Sequence, residues 1–237
     1  MPDERPAEEA VTASSPAATA APPSDPDPSR HADDLPWPPS PALPVLEAFS
    51  RTWVESCLHP TEFFARVPRR VRLVDALLYF LPLGIAVAGI GLFWRSVIVM
   101  AGGEGAAERL GDPAGGDQLV DFLLSPLTLI VTWWVMSAVV HVLLAVFRGA
   151  QASFGVTLRV FAFSYGPILL AIVPGLGSVA GALWSLVLVV IGLRETHRTE
   201  TWRPVVAMGC GLLIGAVVVS VFAVLGLLGM AVAKLVS

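Results

Sequence analysis

Charged residues are what this sequence has least of. Asp, Glu, Lys and Arg make up only 14% of its 237 residues, whereas soluble domains carry about 25%. Apolar residues account for 55% of the chain, and nearly all of the long apolar runs follow residue 72. This uneven division excludes a chain made only of soluble domains and predicts a solvated tail followed by a membrane domain.

Sequence motifs for catalysis and cofactor binding are also lacking. The chain contains no P-loop, no H-E-x-x-H, no G-x-S-x-G and no dinucleotide fingerprint. Its two cysteines, Cys57 and Cys210, form no C-x-x-C pair, and no basic stripe suited to nucleic acid is present. We therefore expect no enzyme activity, no cofactor, no metal and no nucleic-acid partner.

The first 44 residues are dominated by Pro, Ala, Ser, Asp and Glu. Such a composition buries too little apolar surface to offset the entropy of ordering, so residues 1–44 are predicted to be a disordered tail. The same end lacks the basic and apolar regions of a cleavable signal peptide, so the first spanning helix is expected to direct insertion. Proline-rich tails also serve as docking ligands for other proteins.

Residues 45–72 change to a helical pattern. Leu46, Phe49, Trp53 and Cys57 recur at helical spacing with polar residues between them. This pattern predicts an amphipathic juxtamembrane helix, which either lies on the membrane surface or packs its apolar face on the spanning bundle.

Residues 73–237 contain five apolar stretches, and a helix needs about 20 apolar residues to cross a bilayer. The predicted fold is therefore an all-α integral membrane protein, with the bilayer lipids as its first partner. The third and fourth stretches are short and joined by a Pro-Gly turn, so two full spans and a re-entrant pair both stay open. The predicted spans are residues 73–99, 122–147, 157–173, 175–193 and 204–233.

Arginines are unequally divided between the links that join these spans. Nine lie on one side of a five-span arrangement, whereas only Arg95, Arg109 and Lys234 lie on the other. By the positive-inside rule, the N-terminus faces the cytoplasm and the C-terminus faces outward, in a plasma or inner membrane. The nine are Arg66, Arg69, Arg70, Arg72, Arg148, Arg159, Arg194, Arg198 and Arg203.

Three sets of residues inside the spans are candidates for function. His141 is a polar residue deep in the second span, where it serves either as a proton relay or as a hydrogen-bonded packing residue. Tyr165, Pro167 and Pro174 mark a kink and a turn around the third span. Gly211 and Gly215 form a small-x-x-x-small motif that permits close helix approach, to Gly84-x-x-x-Ala88 of the first span or to a second copy of the chain.

Four segments of the chain have a distinctive order and spacing, among them the juxtamembrane W-V-E-S-C-L-H-P-T-E-F-F-A-R-V-P and the run W-S-L-V-L-V-V-I-G-L-R-E-T-H. Together they resemble the Yip domain family, named for proteins that interact with Ypt/Rab GTPases. The resemblance looks closest to the prokaryotic branch and implies a five-span bundle with a cytoplasmic N-terminus and no catalytic residues. The segments are residues 53–68, 141–154, 157–174 and 177–197.

Composition and resemblance together lead to a functional expectation. The chain is expected to be a non-enzymatic membrane scaffold or adaptor that recruits membrane or cytoplasmic proteins through its tail. The alternative is a small transporter or channel in which a Pro/Gly-broken helix near residues 165–181 lines a site beside His141.

Overall fold

The computed structural model describes residues 35–68, 72–102 and 118–236. Most of the predicted tail, residues 1–34, and residues 103–117 between the first two spans therefore lie outside the described residues. All the secondary-structure elements of the described residues are helices, apart from one isolated bridge between Ser40 and Leu43. These are α1 (Val45–Leu58), α2 (Pro60–Ala65), α3 (Leu73–Gly102), α4 (Gln118–Val146), α5 (Phe154–Phe163), a 3-10 helix (Gly166–Ile172), α6 (Leu176–His197) and α7 (Trp202–Val236).

Five stretches of the described chain are long and apolar enough to cross a membrane. The third of them combines α5 with the 3-10 helix, because Pro167 lacks the N–H that would continue the α-helical ladder. The prediction of an all-α multi-pass membrane protein is confirmed. The five are Leu73–Gly102, Leu119–Val146, Phe154–Ile172, Leu176–His197 and Trp202–Gly226.

One end of the bundle gathers the links that carry arginine. There α3 and α7 begin and α4 and α6 end. The end of α4 lies close to the start of α7, because a Cβ added to Gly149 would lie 3.3 Å from the Cβ of Arg203. We call it the arginine-rich end, because Arg72, Arg148 and Arg198 also lie there. The opposite end holds the turn between the 3-10 helix and α6, where Gly175 has a φ of 75°.

The buried core of the described residues lies toward the arginine-rich end. The buried residues of α3 lie between Ala76 and Gly84, in the first half of a 30-residue helix. Those of α4 lie between Trp133 and Leu144, and α7 has none among its described side chains after Gly211. The other halves of these helices expose apolar side chains, as helices surrounded by lipid do.

The amphipathic segment packs into this core. Phe63 and Phe64 of α2 are fully buried, and Phe63 meets Phe163 of α5 edge-to-face at 5.3 Å. Trp53 of α1 donates its indole N–H to the carbonyl of Gly166 at 3.1 Å. Of the two arrangements that the sequence left open, the structure has the one in which the helix packs on the bundle, although Leu46 is 79% exposed.

The stretch just before α1 also contacts the bundle. Trp37 is only 5% exposed, and its ring lies against Phe49 and Tyr79 at centroid distances of 6.1 and 5.9 Å. Its indole N–H donates to the carbonyl of Asp75 at 2.6 Å. The sequence placed residues 35–44 in the tail, whereas here one large aromatic side chain buries enough surface to hold them against α1 and α3.

Candidate functional site: a buried polar layer on α5

The central helix of the packed end is α5. Seven of its ten residues are buried, so its polar side chains face other helices rather than lipid or water. A polar group buried away from water is costly unless it is hydrogen-bonded. The two polar residues Thr157 and Arg159 therefore decide the chemistry of this layer.

Thr157 connects two histidines from different helices. Its hydroxyl lies 2.8 Å from Nδ1 of His141 on α4 and 3.0 Å from Nε2 of His197 on α6. The backbone N–H of Ala152 completes the chain by donating to Nδ1 of His197 at 3.1 Å. Both Thr157 and His197 are fully buried, so the chain ties α4, α5 and α6 together.

The amide of Ala152 fixes the direction of the two hydrogen bonds that His197 makes in this chain. Because a backbone amide can only donate, Nδ1 of His197 must carry its lone pair, and the proton of the neutral ring is on Nε2. His197 therefore donates to the Thr157 hydroxyl, which in turn shares a hydrogen bond with Nδ1 of His141. Reversing the chain would bring two N–H groups together at Ala152, so these contacts do not form a reversible proton relay.

Arg159 is the second polar residue of the layer. Its side chain is 3% exposed and lies 3.8 Å, between Nη2 and Oδ2, from Asp75 of α3. Its guanidinium also lies 5.9 Å from the centre of the Phe163 ring. Among the described residues, its Nε and Nη1 have no hydrogen-bond partner. The pair joins α3 to α5 in the same layer as the histidines.

The remaining predicted site residues lie elsewhere. Tyr165 packs on Phe80 at a centroid distance of 4.8 Å, Pro167 is buried at the start of the 3-10 helix, and Pro174 is exposed in the turn before α6. The partners seen for His141 are instead Thr157, Phe154 and His197. The third span is interrupted as predicted, but the interruption lies apart from the histidine.

The glycine motifs of the first and fifth spans do not meet each other. A Cβ on Gly84 would lie 2.7 Å from Leu129, and one on Gly211 would lie 3.0 Å from Val140. Both of those neighbours belong to α4, and Gly215 likewise faces Met136 at 3.6 Å. The proposed contact between the two motifs is wrong because α4 lies between the helices that carry them.

Sequence reasoning singled out only one member of this layer. It counted Arg159 among the arginines of the links, and it singled out neither Thr157 nor His197. Their position along the helices could have indicated the layer. Thr157, Arg159 and His197 each lie within about two turns of the arginine-rich end of an apolar helix. Within the described ranges, no group of three or more His, Cys, Asp or Glu could hold a metal ion.

Comparison with known proteins places the chain in a family. The family model of the Yip1 domain matches residues 54–232, which include α2 and all five candidate spans up to the last turns of α7. No curated protein and no solved structure matches the chain. The assignment to the prokaryotic branch stays a prediction. Because the match covers most of the sequence, this multi-pass membrane protein belongs to the Yip1 domain family.

Proposed function

We propose that this protein is a non-enzymatic membrane scaffold or adaptor of the plasma or inner membrane. The observation that carries the proposal is the fixed hydrogen-bond chain from Ala152 through His197 and Thr157 to His141. Its groups hold helices together, and a backbone amide sets the direction of the bonds at His197. In this proposal the tail and the arginine-rich end face the cytoplasm and bind protein partners, and the C-terminus lies outside.

The contacts of the broken third span also favour a scaffold over a transporter. A Cβ on Gly177 would lie 2.0 Å from the carbonyl oxygen of Leu170, and one on Gly181 would lie 2.5 Å from that of Pro167. The 3-10 helix is thus in direct backbone contact with α6. In a discontinuous helix that lines a transport site, backbone carbonyls at the break face a cavity. The carbonyls of Pro167 and Leu170 face glycines of α6 instead.

Crosslinking in intact membranes tests the proposal. The full-length chain is compared with a variant in which residues 1–34 are replaced by Gly and Ser at equal length, which keeps Trp37 and the bundle intact. If the protein is a scaffold, a reproducible set of proteins should crosslink to the native chain and should not crosslink to the variant.

His141→Ala provides the matched test of the transporter alternative. If the protein carries a solute, liposomes containing the purified chain will show a flux that this substitution abolishes. Such a flux, together with an unchanged crosslinking pattern in the tail variant, would contradict the scaffold proposal.

A further inference from the structure

A small polar pocket lies between two links at the arginine-rich end. It is lined by Gln151 from the link before α5 and by Arg198, Thr199, Glu200 and Arg203 around the start of α7. Its volume is about 390 Å³, which falls in the range of roughly 300–1,000 Å³ seen for small-ligand sites. We refer to it as the link pocket.

The frame of the link pocket is held by backbone contacts. Arg148 and Arg198 end α4 and α6 with left-handed φ values of 56° and 50°, which turn both links sharply. The guanidinium of Arg203 joins them, because its Nη1 donates to the carbonyl of Arg148 at 2.6 Å. The amide of Thr199 donates to the carbonyl of Arg194 at 3.1 Å and closes the end of α6.

Donors outnumber acceptors inside this frame. Arg203 Nε and Thr199 Oγ1 are buried atoms with no hydrogen-bond partner among the described residues. The one carboxylate of the pocket, that of Glu200, already accepts the indole N–H of Trp202 at 2.6 Å and lies 3.7 Å from Nη2 of Arg203. Buried donors without partners indicate a missing acceptor, and two guanidinium groups favour an anionic one.

The depth of the pocket indicates where that anion comes from. Val146 at the end of α4 is 68% exposed, and Trp202 and Val205 at the start of α7 are 51% and 49% exposed. Apolar side chains of a multi-pass membrane protein that are exposed in this way face lipid, and Trp marks the interface. The link pocket therefore lies at the level of the phospholipid headgroups.

We propose that the link pocket binds the phosphate of an anionic phospholipid. Arg198 and Arg203 supply charge, and the Nε of Arg203 and the hydroxyl of Thr199 donate to the phosphate oxygens. Guanidinium groups suit this task because they offer several donors in a fixed plane, and basic pockets beside spanning helices bind acidic headgroups in this way. The site is independent of the proposed adaptor function.

Native mass spectrometry of the full-length protein in neutral detergent tests this site. The protein is mixed with equal amounts of phosphatidylglycerol and phosphatidylcholine, and the bound lipids are counted. The native chain should retain phosphatidylglycerol preferentially, and Arg198→Gln should lower that retention by about fivefold. Arg203→Lys should lower it as well, because lysine keeps the charge but removes the Nε donor.

Arg72→Gln is the matched control, since Arg72 is exposed at the same end but does not line the pocket. Equal losses in all three variants, or no loss in any, would overturn the proposal.

A second arm of the experiment replaces the lipids with inorganic phosphate. If phosphate binds and phosphatidylglycerol shows no preference over phosphatidylcholine, the assignment to lipid is overturned. Arg198 is exposed, so its variant stays folded, and thermal unfolding verifies this for each protein.

Discussion

Thr157 is the residue on which the polar layer depends, because its hydroxyl contacts both histidines. Its hydroxyl accepts from His197 and shares a second hydrogen bond with His141. Single hydrogen bonds between spanning helices contribute about 0.6 kcal/mol on average. Leaving a buried donor without an acceptor costs more than the bond itself contributes.

Replacing Thr157 with Val should therefore destabilise the bundle with little change of shape. We expect the free energy of unfolding to fall by about 1–3 kcal/mol, because two bonds are lost and the His197 N–H is left buried. Unfolding in mixed micelles of dodecyl maltoside and dodecyl sulfate measures it. Thr128→Val is the control, since Thr128 bonds only within α4, to Ser125. Equal effects of both substitutions would refute the bridging role.

Cys57 offers a second test at the residue scale. It is 8% exposed at the end of α1, and burial raises the pKa of its thiol from 9.0 to about 11, while a hydrogen bond with Ser56 opposes part of that rise. Only the thiolate reacts with maleimides. Because its pKa is raised, Cys57 carries less thiolate than an exposed cysteine at every pH below 9.

Maleimide labelling of Cys57 in a Cys210→Ser background should therefore be slow in the folded protein. At pH 7.5 we expect a rate about a hundredfold below that in denaturing detergent, and slower still where the side chain is shielded. The rate should rise with pH up to about 11. Labelling that is equally fast in folded and denatured protein would show that α1 is not docked as described.

Among the elements, α6 is the helix that others approach most closely. Its glycines face three different neighbours. Gly177 and Gly181 meet the 3-10 helix, while a Cβ on Gly192 would lie 2.6 Å from Val160 and 3.1 Å from Phe64. Small residues at such positions let backbones pack closely in membranes, where packing replaces the hydrophobic effect.

Two glycine substitutions should accordingly differ in their effect on stability. Gly192→Ala should destabilise the protein by about 1–3 kcal/mol, because Val160 and the ring of Phe64 are themselves packed. Gly209→Ala on α7 meets no atom within 4 Å and should be neutral or stabilise by up to about 1 kcal/mol, since alanine favours helix. Thermal unfolding of both variants checks the pair, and a loss at Gly209 would contradict it.

The elements also show what the sequence could and could not predict. Apolar run length alone located five spans, because a bilayer fixes the length that a helix needs. It left the placement of α1 and α2 open, since the same amphipathic pattern suits a membrane surface or a protein groove. The link between His141 and His197 was missed because contacts between residues 56 positions apart leave no local periodicity.

At the scale of the whole molecule, the direction of insertion is the main consequence of the charge distribution. The ends of α4 and α6 and the starts of α3, α5 and α7 share one side, so α5 and α6 form a hairpin. Whether that hairpin spans fully or partly, the links on either side of it stay on the same face. The positive-inside rule predicts that this face lies in the cytoplasm.

Cysteine accessibility tests that assignment. In a chain lacking Cys57 and Cys210, Met100→Cys at the end of α3 and Thr201→Cys before α7 place single thiols at opposite ends of the bundle; both native side chains are exposed. In intact cells an impermeant maleimide should label the first and spare the second, and lysis should expose both. The reverse pattern would invert the proposed topology.

The position of the core at one end also affects the molecule's mechanical behaviour. We expect the bundle to be stiffest at the arginine-rich end, where α1, α2 and α5 fill the spaces between the longer helices. It should deform most easily at the opposite end, where α3, α4 and α7 continue without them. When the bilayer thins or thickens, the compliant half can tilt and spread to match it. We therefore expect a change in bilayer thickness to displace the ends of these helices more than the arginine-rich end.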